Sequence, residues 1–186
     1  MARKYEINID QINHKLASAQ AASFFELTVQ AQKSVGTDSK LEDILTFLVI
    51  SSFSMELYLK SILLRINDGV YTSGHELHDL YSQIPAEHKR SISQRYLFEF
   101  ESNALPVTFW AIKKKVNDSN PPDAYKKDKE YKTFDDAISS VSNMFNVARY
   151  FFEKVSGNDF SYIECPHHQI LSMLKALDET YKSIID

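Results

Sequence analysis

Glu56 stands within an apolar run from Leu45 to Leu64, with Lys60 four residues on and His75 and His78 beyond the next turn. Arg149 follows much later, at the edge of a second apolar stripe. A carboxylate, an amine, two imidazoles and a guanidinium are the groups that acid–base chemistry or phosphate recognition calls for. An unpaired carboxylate inside an apolar helix is costly or takes up a proton, so Glu56 needs a partner. Lys60 is the nearest, in the favourable Glu-to-Lys order one turn apart, and Arg149, His75 and His78 are the more distant alternatives.

His75 and His78 are three residues apart at an expected helix start, a spacing that turns both rings to one side. Acid–base work needs one imidazole beside an activated hydroxyl, whereas a metal needs at least a third ligand. The pattern is not the His-Glu-x-x-His of zinc hydrolases, and no metal or other cofactor is expected. Arg149, with Tyr150 beside it and Glu153 one turn on, can bury its stem and aim its head at a phosphate, or simply join two helices by an ion pair. Cys165-Pro166-His167-His168 gathers ligand-type residues, yet reads best as the opening of a helix. From Lys113 to Lys132 seven lysines meet four acids around Tyr125 and Tyr131. Such a mixture can follow a nucleic-acid backbone, but the interspersed acids make a solvated loop the simpler reading. The chain lacks a phosphate-binding glycine loop, a Gly-x-Ser-x-Gly elbow and a Cys-x-x-Cys pair, which removes many common enzyme classes.

The elements that must position these groups are helices. Among 186 residues only four are glycine and five proline, and Phe, Tyr, Leu, Ile, Lys and Glu dominate, so one helical domain over 1–186 is predicted. The net charge of −4 argues against nonspecific nucleic-acid binding by the whole surface. Cys165 is the sole cysteine, which rules out an intrachain disulfide and fits a reducing cytoplasm. The opening MARKYEINIDQ lacks the apolar run of a signal peptide, so a cytoplasmic location is expected.

Ala17 to Lys33 reads as a helix that begins as early as Asp10 and ends at Gly36. Ser39 with Glu42 has the spacing of a capping box that opens a helix through Ile66, apolar on nearly every face and therefore central. Its uncharged part runs only from Ile44 to Met55, short of the roughly 20 apolar residues of a membrane span, so no membrane partner is expected. Ser73 with Glu76 opens a short helix from Gly74 or His75 to Ile84, and Ala86 to Ser102 forms another. Lys115 to Lys132 is an exposed loop or insertion. Thr133 with Asp136 starts a helix whose stripe runs through Phe134, Ile138, Val141, Phe145, Ala148 and Phe152. Asp159 to Ile163 is extended or irregular, and Pro166 suits the first turn of a last helix. With no strand alternation long enough for a sheet, the expected fold is all-α, an antiparallel bundle of about five helices.

The segments Ser54-Met55-Glu56-Leu57-Tyr58-Leu59-Lys60-Ser61-Ile62-Leu63-Leu64 and Gly74-His75-Glu76-Leu77-His78-Asp79-Leu80-Tyr81 resemble the HEPN superfamily, in which an E-L-x-L-K-x-L-L helix precedes a G-H-D-L helix start. Glu76 stands where that pattern has Asp, and Arg149 to Glu153 is similar to the family's late helix. The resemblance implies a helical bundle, often a homodimer, in bacterial toxin–antitoxin, phage-defence or RNA-processing systems. Catalytic members are metal-independent ribonucleases in which about four to six residues separate an arginine from a following histidine, the histidine to promote attack by the ribose hydroxyl and the arginine to steady the phosphate. No arginine here has a histidine at that spacing; after Arg149 those positions hold Lys154, Val155 and Ser156. The resemblance therefore implies first a noncatalytic or divergent module that self-associates and contacts RNA, a nucleotide or a partner protein. Its alternative is a ribonuclease with a substitute set: Arg149 for the phosphate, His78 for acid–base work and Glu56 to orient one of them.

Overall fold

The computed structural model describes residues 13–36, 39–68, 73–102, 131–142, 148, 150 and 165–185, and the backbone alone of 108–113 and 160–164. Six helices lie among these residues: α1 (His14–Gln32), α2 (Leu41–Ile66), α3 (Leu77–Ser82), α4 (Ala86–Ser102), α5 (Phe134–Val141) and α6 (His167–Ile185). They form the expected helical bundle. Arg149, Glu153, Phe145, Phe152 and nearly all of the lysine-rich 115–132 segment fall outside the described residues.

Side-chain pairs give the helix directions. Ser54 Oγ donates to Ala21 O at 2.8 Å and Phe24 meets Phe53 edge-on at 5.1 Å, so α1 and α2 run antiparallel as a hairpin. Along α4 and α6, Arg95 reaches Glu179 and Glu99 reaches Lys175, rising numbers against falling ones, which is again antiparallel. His14 Nδ1 meets Tyr181 Oη at 2.8 Å and sets α1 against α6. Small residues make the closest contact possible: Ala21 and Ser54 are both fully buried, and the serine hydroxyl binds a carbonyl across the interface.

The central helix is α2, as its all-round apolar pattern predicts. Sixteen of its 26 residues are buried, from Ile44 to Leu64, against α1, α3 and α6. It is long and apolar enough by composition to cross a membrane, but here those apolar faces are covered by neighbouring helices. Apart from Ser54, its buried serines are satisfied within the helix, with Ser52 donating to Leu48 O at 2.7 Å and Ser61 to Tyr58 O at 2.8 Å. Tyr58, only 1% exposed, sends its phenol to Asp178 Oδ1 at 3.0 Å, so even this polar tip has a partner.

Three details depart from the expected elements. Ser39 does not cap α2, whose N-cap is Lys40; its hydroxyl hydrogen is instead shared between Ser34 O at 2.7 Å and Gly36 O at 2.8 Å, closing the α1–α2 turn. Ser73 likewise caps nothing, and α3 begins at Leu77 after a Glu76 N-cap without a side-chain bond. The third is a two-stranded antiparallel ribbon, β1 (Thr108–Lys113) with β2 (Phe160–Cys165), in register from Thr108↔Cys165 to Lys113↔Phe160. Each strand is six residues long and their pairing is distant in sequence, so neither carries a recognisable strand pattern alone. The Thr133–Asp136 box, by contrast, forms as predicted: Thr133 accepts from the Asp136 N–H at 3.1 Å and donates to its Oδ2 at 2.6 Å.

Candidate functional site

Glu56 is 6% exposed, and its Oε1 is the meeting point of two partners. Lys60 Nζ lies 2.7 Å away, one turn along α2, and His75 Nδ1 lies 2.8 Å away from beyond the end of the helix. The chain reaches that position by capping α2 at Asn67, whose N–H bonds Leu63 O at 3.0 Å, and by placing Asp68 in the left-handed region at φ 49°. Gly74, at φ +116°, then adopts a conformation that a side chain would strain. Of the partners weighed for Glu56, the structure therefore unites two, the near lysine and the first histidine.

With Glu56 as the carboxylate partner of Lys60, the contact assigns a hydrogen to His75 Nδ1. A carboxylate only accepts, so the Nδ1 that faces Glu56 is protonated, and Nε2 is the atom left to the outside. The His75 side chain is 75% exposed whereas those of Glu56 and Lys60 are 8% and 10% exposed. A buried carboxylate thus orients a solvent-facing imidazole, the relation that in hydrolytic triads holds a histidine in its working tautomer. As an imidazolium the ring donates Nε2–H to an anion; as the neutral tautomer it takes up a proton there.

His78 is elsewhere. Because α3 begins only at Leu77, His75 precedes the helix and the two histidines do not share a helical face. His78 is exposed, and its backbone N–H donates to Ser142 Oγ at 3.0 Å, which ties α3 to the end of α5. Tyr150 is 38% exposed. The set of Glu56, His78 and Arg149 is thus seen only in part, and the imidazole that Glu56 holds is that of His75.

The Cys165-Pro166-His167-His168 stretch links β2 to α6, with Pro166 O accepting from Ile170 N at 2.9 Å, as a helix opening should. Cys165 is fully buried, and burial pushes its thiol up to about 12. Burial, then the neighbouring His168, lowers His167 to about 4, and the two rings stand 4.0 Å apart. Burial also lowers His168 from its ordinary value. Among the described residues no three His, Cys, Asp or Glu side chains come together as a metal set.

A second constellation escaped the sequence reading. Glu99 of α4, 7% exposed, accepts from Lys175 of α6 at 2.6 Å, and one turn away Arg95 donates to Glu179 at 3.3 Å. Beside the first pair a cleft of about 290 Å³ opens between α1, α4 and α6. Its members are 76 residues apart in the case of Glu99 and Lys175, and no local spacing marks them. Comparison of the chain with family models, with curated proteins and with solved structures yields no match.

Proposed function

We propose that the chain is a HEPN-like, noncatalytic interaction module that contacts RNA through the surface around His75 and self-associates as a homodimer, in a bacterial defence or toxin–antitoxin setting. The supporting observation is the contact between Glu56 Oε1 and His75 Nδ1. It joins the two segments on which the resemblance rests, and it presents Nε2 of an exposed ring to solvent, where an imidazolium donates to a phosphate oxygen. Self-association is supported by apolar side chains left outside: Phe98 is 68% exposed and Leu97 45% on α4, with Leu16 and Leu27 on α1.

Binding of a fluorescent single-stranded RNA, followed by anisotropy, tests the RNA reading. Saturable binding at about 10 μM protein or less, weakened at least about fivefold in His75→Ala, is the expected result. No binding by the wild-type protein would remove the reading. A light-scattering mass of 21.4 kDa at every concentration would remove the dimer.

The same contact favours one second reading, a metal-independent endoribonuclease. In it His75, oriented by Glu56, takes the proton of the ribose 2′-hydroxyl, the part the sequence reading gave to His78, and Arg149 steadies the phosphate. RNA left intact in the presence of chelator from about pH 5 to 9, a range that spans ordinary histidine titration, would dismiss it.

A further inference from the structure

Of the six histidines, His75 alone joins an exposed ring to a buried carboxylate among the described residues. His14 Nδ1 is engaged by Tyr181 Oη at 2.8 Å, His167 is buried and His168 half-buried. His88 turns Nε2, not Nδ1, towards the exposed Glu87 at 3.6 Å. His78 is exposed, yet no carboxylate of the described residues holds its ring.

His75 Nδ1 stands 2.8 Å from Glu56 Oε1, so its hydrogen lies on that side and the neutral ring keeps its lone pair on Nε2. The side chain is 75% exposed. The space beside it is open: chain neighbours aside, no atom of the described residues lies within 4 Å of where a side chain at Gly74 would begin. A lone pair, a group that orients the ring from its other nitrogen, and room for an electrophile are the attributes of an activated nucleophile.

Charge selects the electrophile. Lys60 Nζ, 2.7 Å from the same Glu56 oxygen, cancels the carboxylate charge under the ring. Glu76, the next residue, is exposed to water, where its field is screened. A dianionic group can therefore be carried on Nε2 with its oxygens in water, and a phosphoryl group is of that kind. Its exchange between two imidazoles breaks one N–P bond and forms another, so no further source of energy is needed.

We infer that His75 Nε2 accepts a phosphoryl group from an N-phosphoryl donor, the chemical class of a partner protein's phosphohistidine, with Glu56 as the positioning residue. The Nε2 lone pair forms the new N–P bond while the donor's N–P bond breaks, and that electron pair leaves with the donor nitrogen. The positive charge left on the ring is held against the Glu56 carboxylate, which accepts the Nδ1–H. The inference uses the contact of Glu56 with His75 and does not require RNA to bind.

Phosphoramidate, a small N-phosphoryl donor, applied to the full chain at about pH 7.5, with the product mapped by mass spectrometry without acid and its isomer read by phosphorus NMR, tests this. The expected result is phosphorylation of His75 at least about tenfold faster than of His78, on Nε2. In urea the two rates converge. In the double variant Glu56→Met with Lys60→Met, its helices checked by circular dichroism, His75 falls to the rate of His78 and both ring nitrogens react. Phosphorylation of His75 no faster than of His78, an Nδ1 product at His75 in the folded wild type, or a preference for His75 that survives urea or the double variant would overturn the inference. Phosphorylation of His75 with this selectivity in a protein that binds no RNA would uphold it while the RNA reading falls.

Discussion

His75 Nδ1 lies 2.8 Å from the same Glu56 oxygen that Lys60 Nζ approaches at 2.7 Å. One buried carboxylate therefore does two things: it neutralises a lysine inside α2 and it pins the segment that leads into α3. The two tasks differ in energy, because Lys60 is buried with Glu56 while His75 is largely in water.

Glu56→Gln leaves the Lys60 ammonium in a buried position without its carboxylate. Removing one partner of a buried pair is costly, and the expected loss of unfolding free energy is about 3 kcal/mol in urea titration. Glu56→Met combined with Lys60→Met restores most of that loss, since neither residue is then a buried charge. A double variant no more stable than Glu56→Gln would show that the pair is not what the single substitution breaks.

His75→Ala acts locally. An exposed partner contributes less than about 1 kcal/mol to global stability, so the urea midpoint moves little. The tether from α2 to the start of α3 is lost, however, and amide hydrogen exchange within Leu77–Ser82 should quicken relative to α6. Unchanged exchange there would mean that packing of Leu77, Leu80 and Tyr81 alone holds α3.

The pH dependence of stability is expected to carry the mark of His167. Burial depresses its folded value from 6.5 to about 4, so below pH 6.5 the unfolded chain binds a proton that the folded chain refuses. The stabilisation is complete above pH 6.5 and is lost as pH falls towards about 4. His168 and His14, also lowered chiefly by burial, act in the same direction. Chemical denaturation between about pH 4.5 and 7 should therefore show a shallower slope for His167→Gln than for the wild type. Equal slopes would refute this assignment.

Cys165 should be inert in the folded protein. Its thiol is fully buried and pushed up to about 12, which suppresses both access and thiolate. At pH 8, modification by a disulfide reagent should be at least about a hundredfold slower in native buffer than in denaturant. Comparable rates would indicate that the β2–α6 junction opens readily.

Three stretches share the same serine- or threonine-to-acid spacing, and their fates differ. Thr133 caps α5 because its partner, Asp136, is three residues away, and among the described residues its hydroxyl bonds only Asp136. Ser39 has the same opportunity with Glu42, but in the α1–α2 turn its oxygen accepts from the Gly36 N–H while its hydrogen is shared between Ser34 O and Gly36 O. Before α3, Gly74 at φ +116° and the extended Glu76 keep the chain out of helix until Leu77, so Ser73 has no helix start within reach. Spacing states which bond is available; the course of the loop selects among the bonds.

Apolar periodicity and contacts within one turn suffice for the helical class, the central place of α2, the bounds of α4 and the cap of α5, so these are legible in the chain before it folds. The sequence also marked Glu56 as a carboxylate in need of a partner, and Lys60 as the near one. That His75 and not His78 is the second partner, that β1 pairs with β2, and that Glu99 meets Lys175 beside a cleft emerge with the packed fold. Those relations join residues far apart in the chain, where packing of whole helices fixes the distances and local propensity is silent.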